Sequence, residues 1–301
     1  MRVGGCTFAF GAKPLEDACR FLKEFAFRIV DLGVCLGNTQ VNPFDASENP
    51  EAVAGTVNRC LDDLGLERGE CFVLDFGQPL NHPDEDVRQA SRRRFRPLAR
   101  FARLVGCPSI MLVPGIVHES LGKEQSYDLA AQELRILCQT AGDEGILLNI
   151  EPCEPSVIQD PKDAIRLCEE VPGLGLTLDY SHFIDPGYSQ VEVEPLHRFA
   201  RHLHARQAAP GKRVEAVRKG TIDFGRMVSF QFAFKMRLNM LQWKHVQTTS
   251  HRSQTGRQSA DGLGASDRCW AIAGGPGDLA ACRGPSDPRR NCRRAGSRAC
   301  Q

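Results

Sequence analysis

Short apolar runs alternate with stretches of helical periodicity from the N-terminus to residue 206, and this alternation constrains the fold more than any other feature. The runs fall at residues 3–10, 29–34, 71–76, 109–114, 146–151, 174–180 and 202–206. Several are apolar on both sides, as strands covered on two faces must be. Asn49-Pro50 and Asp160-Pro161 each read as an N-cap followed by proline at the first helical position, and Gly65 and Gly106 stand where helices should stop. The periodicity of residues 84–105 predicts a helix that turns Val87, Ala90, Leu98, Phe101 and Val105 inward and leaves Arg92-Arg93-Arg94 in solvent. Strand and helix in alternation dictate right-handed crossovers and a parallel sheet. A doubly wound sheet would carry a glycine-rich phosphate loop after its first strand, and Cys6-Thr7-Phe8-Ala9-Phe10-Gly11 is not one. The expected architecture is therefore α/β, a (β/α)8 TIM barrel with seven units in view.

The eighth unit breaks the pattern. Gly220-Thr221-Ile222-Asp223-Phe224-Gly225 reads as the lead into a seventh helix, yet Phe230, Phe232, Phe234, Met236, Leu238 and Met240 then recur at period two, a strand pattern where a helix is due. Residues 244–301 hold nine arginines to one lysine, no glutamate, and abundant Gly, Ser, Ala, Pro and Cys, a composition that does not build a core. Their net charge is +6, against −5 for residues 1–243. The expectation is a barrel of seven βα units over residues 1–228, its eighth unit missing or aberrant, followed at 229–301 by a largely disordered basic tail. Arginine in such excess over lysine is the bias expected of an out-of-frame or unspliced reading of a GC-rich gene.

The acidic body argues against a nucleic-acid partner, which needs a basic face to neutralise phosphates. No run approaches the length of a membrane span, and MRVGGCTFAFGAK has neither the basic start nor the unbroken apolar stretch of a signal peptide, so the expected location is cytoplasmic and away from membranes. Thirteen cysteines without CxxC spacing fit small buried residues in a reducing compartment.

Three side chains of metal-ligating type stand at the ends of successive expected strands: Glu151 in ILLNIEP, Asp179 in LGLTLDYSHF and His204 in RHLHARQ. In a parallel barrel every strand end is one lip of the same crevice, so the three are expected to converge. An acid directly after apolar strand residues is costly to bury unless paired or bound to a metal. His182, three residues past Asp179, is placed to bind substrate or handle a proton. Strand alternation puts His202 on the face of His204 but one layer deeper, where it reads as a buried supporting residue. Arg206 and Gln207 are expected to contact a phosphate, carboxylate or hydroxyl of a ligand, His118 to line the pocket, and Phe8 and Phe10 to supply an apolar wall.

Asn149-Ile150-Glu151-Pro152, Asp179-Tyr180-Ser181-His182, the run His202 to Gln207, the Gly220 to Phe224 turn and Asn81-His82-Pro83-Asp84 together resemble the xylose isomerase-like TIM barrels. The resemblance covers residues 1–228 and is specific at superfamily level. It implies a metal-dependent isomerase or epimerase acting on a small sugar or sugar phosphate through an enediolate, with a dehydratase or lyase, or a non-catalytic degenerate barrel, as alternatives. It also implies that Glu151, Asp179 and His204 hold the ion, that Glu151 and His182 are catalytic, and that the ion is Mn²⁺, Mg²⁺ or Co²⁺ rather than Zn²⁺. A glutamate after the eighth strand completes the ligand set in that superfamily, and no glutamate follows Glu215 here. An abasic-site endonuclease shares the barrel, but its multi-zinc site needs more strand-end histidines. Self-association into a homo-oligomer is compatible with all of these readings.

Overall fold

Eight parallel strands close into a barrel in sequence order. The structure is a computed structural model describing residues 2–37, 40–74 and 77–233 and the backbone of 269–272. The strands are β1 (Arg2–Cys6), β2 (Ile29–Val34), β3 (Glu67–Val73), β4 (Ser109–Leu112), β5 (Leu147–Ile150), β6 (Gly175–Asp179), β7 (Ala200–His204) and β8 (Cys269–Ile272). The helices are α1 (Leu15–Glu24), α2 (Pro43–Glu48), α3 (Pro50–Asp63), α4 (Glu85–Val105), α5 (Gly122–Asp143), α6 (Pro161–Glu170), α7 (Ser181–Ile184) and α8 (Gln190–Val193), and residues 224–233 are helical as well. No helix among the described residues is long and apolar enough to cross a membrane.

The expected helix signals are used unevenly. Asp160 accepts a hydrogen bond from the Lys162 N–H at 2.7 Å, whereas Asn49 makes no side-chain cap and relies on Pro50 alone. Gly106 ends α4 in the left-handed region at φ 92°, where a Cβ would be strained. The buried face of α4 is Arg88, Ser91, Phe95, Leu98, Ala99, Phe101, Ala102 and Val105, so Val87 and Ala90 are only half-buried. The rotation has an electrostatic cause: Arg88 and Arg92 both reach the buried Glu133 of α5, at 3.1 and 2.7 Å. Arg92 is therefore an interhelical bridge rather than part of a solvated face.

Six of the seven expected strands differ from expectation in their bounds, β1, β3 and β7 among them. β1 stops at Cys6, and Thr7–Phe10 turn into a 3-10 helix because the Thr7 hydroxyl accepts the Gly33 N–H at 2.9 Å and Phe8 lies across Gly33, where a Cβ would meet it at 3.1 Å. β3 begins four residues early, at Glu67, with Asp75 and Phe76 outside the described residues. β7 begins at Ala200 and ends on His204.

The largest departure is β8. Nothing beyond residue 244 reads as a barrel strand in the sequence, yet Cys269–Ile272 pairs with β1, Arg2 opposite Cys269, and with β7, His204 opposite Ala271. Closure is the physical reason: β1 and β7 otherwise expose two rows of unpaired backbone groups, and any short segment with Trp and Ile in extended form relieves both. The eighth unit is thus aberrant rather than missing: four residues long and without a glutamate. Helical geometry through residue 233 likewise replaces the strand expected from Phe230 onward, while residues 234–240 lie outside the described residues. The expected disorder of the tail also falls there, apart from these two structured pieces.

Candidate functional site

β5, β6 and β7 deliver their last residues to the same mouth of the barrel. Glu151 follows β5 directly, its N–H donating to the Leu112 carbonyl at 3.1 Å, and its carboxylate is buried. Asp179 is the final residue of β6 and His204 that of β7. His204 Nδ1 lies 2.5 Å from Glu151 Oε1. Glu151, Asp179 and His182 each place a potential ligand atom within 4.8 Å of the other two. Asp179 Oδ1 accepts the Ser181 N–H at 2.8 Å, which fixes the carboxylate as the chain turns into α7. Its Oδ2 pairs with Arg206 Nη2 at 2.9 Å, and the same guanidinium donates to the Ser181 hydroxyl at 2.8 Å and to His182 Nε2 at 2.9 Å.

A second polar layer lies beneath. Asp31 projects from the middle of β2 and Glu70 from the middle of β3, both fully buried. Asp31 Oδ2 meets His202 Nε2 at 2.8 Å, and its Oδ1 accepts the Glu70 N–H at 2.6 Å. Glu70 accepts from Ser109 and Asn149, each at 2.7 Å, and from Thr177 at 2.5 Å. Gly69 is required beside this pair, because a Cβ there would overlap Asp31 Oδ1. The His202 and His204 rings meet edge-on, 5.4 Å between centroids, so the two layers touch.

The charges of the mouth are set by these neighbours. Burial pushes the His204 imidazole down, but the Glu151 carboxylate in contact outweighs it and holds His204 up to about 9. Burial dominates at His182 and lowers it. For Asp179 burial works upward, and Arg206, His182 and His204 together prevail and lower it. His202 is raised, Asp31 and Glu70 overcoming its burial. The donor set suits a divalent cation: the carboxylates of Glu151 and Asp179 and the imidazoles of His182 and His204, with His182 Nδ1 buried and without a hydrogen-bond partner among the described residues. An ion here competes with two internal cations, Arg206 on Asp179 and protonated His204 on Glu151.

Glu151, Asp179, His182, His204 and Arg206 thus come together as their spacing implies, and His202 lies one layer deeper. Gln207 does not join them. Its amide donates to the Ile222 carbonyl at 3.0 Å and its oxygen accepts the N–H groups of Ala208 and Ile222, so the expected ligand contact gives way to a latch on the Gly220 turn. His118 rests edge-on against His82, 6.0 Å between centroids, and belongs to neither cluster. Phe8 reaches the site through Phe72, which packs on it at 5.5 Å and on His204 at 5.4 Å, whereas Phe10 stacks on Phe21 away from it. Asp31, Glu70 and Phe72 are absent from the sequence reading. The available signal was an acid in the middle of the apolar run IVDLGV and another in ERGECFV, both costly unless they face a polar interior.

Comparison with known proteins follows the same lines. A family profile described as xylose isomerase-like TIM barrel matches residues 19–245. D-psicose 3-epimerase, crystallised in the presence of D-fructose, superposes with a TM-score of 0.63 at 14% identity over 90% of this chain and 84% of its own. The IOLI protein with a bound zinc atom gives 0.63 at 13% identity, covering 91% and 88%. The probable 3-DHS dehydratase AsbF of Bacillus anthracis, involved in petrobactin synthesis, gives 0.62 at 13% identity, covering 90% and 92%. No curated protein matches by sequence.

Proposed function

Since the chain belongs to the xylose isomerase-like TIM barrel family, we propose that it is an isomerase or epimerase of a small sugar or sugar phosphate, with a divalent ion of Mn²⁺, Mg²⁺ or Co²⁺ type held by Glu151, Asp179 and His204. The observation that carries this reading is the convergence of Glu151, Asp179 and His182 within 4.8 Å, with His204 against Glu151. When bound, the ion supplies the positive charge that stabilises the oxyanion of a deprotonated α-hydroxy carbonyl. Glu151 accepts the proton from the hydroxyl-bearing carbon beside the carbonyl and returns it to the former carbonyl carbon, while the hydroxyl proton passes to the former carbonyl oxygen, a transfer contributing on the order of 10²–10⁴ in rate. His182, held by Arg206 at 2.9 Å, orients a substrate hydroxyl, and Phe72 with Phe8 excludes water on one side. The substrate is a free small molecule in a soluble compartment, without nucleic acid or membrane.

One observation favours a second reading. Epimerisation needs two carboxylates on opposite faces of the substrate, and no glutamate follows Glu215. One-base chemistry, either aldose–ketose isomerisation or elimination of water by a dehydratase, uses Glu151 alone. Incubation of the metal-loaded protein with ketoses, aldoses and their phosphates in D₂O, followed by NMR, tests both. Deuterium appearing at the carbon beside the carbonyl supports the isomerase, and an unsaturated product supports the dehydratase. Neither signal, with the metal retained, points to a non-catalytic barrel.

A further inference from the structure

We propose that the barrel interior contains a second divalent-cation site, one layer below the mouth, formed by Asp31, His202 and His204 and suited to zinc. The first argument is charge. Asp31 and Glu70 are both fully buried. Among the described residues Glu70 accepts hydrogen bonds from neutral donors, the hydroxyls of Ser109 and Thr177 and the Asn149 amide. Arg68, two residues from Glu70, sends its guanidinium to Asp62, Asn58 and the Leu66 and Val105 carbonyls, and Arg201, beside His202, sends its own to the Leu148 and Gly173 carbonyls. His202, in contact with Asp31 at 2.8 Å, supplies at most one positive charge against two negative ones, and His204 is engaged by Glu151. A surplus charge in a closed interior is costly. A divalent cation with neutral imidazoles brings the sum over Asp31, Glu70 and the ion to zero, and the proton it displaces from His204 leaves Glu151 without that partner, so the ion moves the surplus from the closed layer to the mouth.

The second argument is the donor set. One ligand atom from each of Asp31, His202 and His204 lies within 4.8 Å of the other two, and all three residues are buried. Bonds of about 2.0–2.2 Å ask these atoms to close on a centre by about an ångström or less. Glu151 holds Nδ1 of His204, which leaves Nε2, buried and without a hydrogen bond among the described residues, as the nitrogen free for the deeper group. Two imidazoles and one carboxylate form a zinc-type set with an open fourth position, in contrast to the more oxygen-rich mouth. A neutral imidazole binds through one nitrogen, so the two sites compete for His204 and saturation is expected at one zinc per chain. The inference does not rest on the isomerase reading, since the deep site stands whether or not the mouth turns over a sugar.

The test uses the full chain, stripped of metal and titrated with Zn²⁺, and an anomalous difference map at the zinc edge from crystals of the loaded protein. A peak within bonding distance of Asp31, His202 and His204 is expected. A peak between Glu151 and Asp179, or no peak, overturns the proposal. In solution, Asp179→Asn should leave zinc affinity within about threefold, while Asp31→Asn and His202→Asn should each lose more than the roughly 10–100-fold that an outer partner costs. The reverse order among these variants, or equal binding by all of them, overturns it. Where a buried variant fails to fold, the anomalous map of the unsubstituted protein decides.

Discussion

Replacing Glu151 with glutamine keeps the side-chain volume and removes one charge from a 2.5 Å contact with His204 Nδ1. In the metal-free protein that contact holds His204 up to about 9, against an ordinary value of 6.5. The rise from 6.5 to about 9 corresponds to on the order of 3 kcal/mol of folding stability, of which Glu151 is the largest favourable source, with Asp179 and Asp31 behind it. Because the folded value is raised, this contribution is fully present below about pH 6.5 and is lost as pH rises through about 9. Glu151→Gln should therefore cost on the order of 3 kcal/mol at pH 6 and close to nothing above pH 9.5. At 2–4 °C per kcal/mol for a domain of this size, Tm at pH 6 should fall by roughly 6–12 °C. Thermal and urea unfolding of both proteins, in chelator, from pH 5.5 to 10 gives the difference curve. A loss independent of pH would mean that Glu151 acts through packing and not through charge. No loss at any pH would mean that the buried pair does not form. At pH 7.5 with metal, the same variant should retain its fold and lose turnover, and near-full activity would remove Glu151 from the chemistry.

Three further outcomes follow from particular contacts. Arg206→Lys cannot keep Asp179, Ser181 and His182 together, since an ammonium lacks the planar fork that reaches all three at 2.8–2.9 Å, and substrate affinity should fall on the order of 10-fold, read as a rise in KM. Gly69→Ala drives a methyl group into Asp31 and should destabilise the chain by about 1–3 kcal/mol in urea titrations, whereas a neutral result would mean that the Asp31 layer is loosely held. Truncation after residue 233 removes β8 and unpairs β1 and β7, so the shortened chain should self-associate on size-exclusion chromatography, while a stable monomer would show that closure by 269–272 is dispensable.

The sequence by itself determined the barrel and most of its mouth. Parallel strands are covered on both faces, so their apolar runs stand out, and the residue ending each run must lie at the rim; Glu151, Asp179 and His204 were legible for that reason. Only the tertiary structure decided what closes the barrel, because β8 is selected by two waiting edges on β1 and β7 and not by its own four residues. The fate of Gln207 was decided the same way, by the backbone of a turn fifteen residues away that uses both ends of its amide. The deep layer was beyond local reading for the same cause. Asp31, Glu70 and His202 belong to β2, β3 and β7, and their mutual distances depend on barrel closure and strand register, which place side chains 171 residues apart within one hydrogen bond.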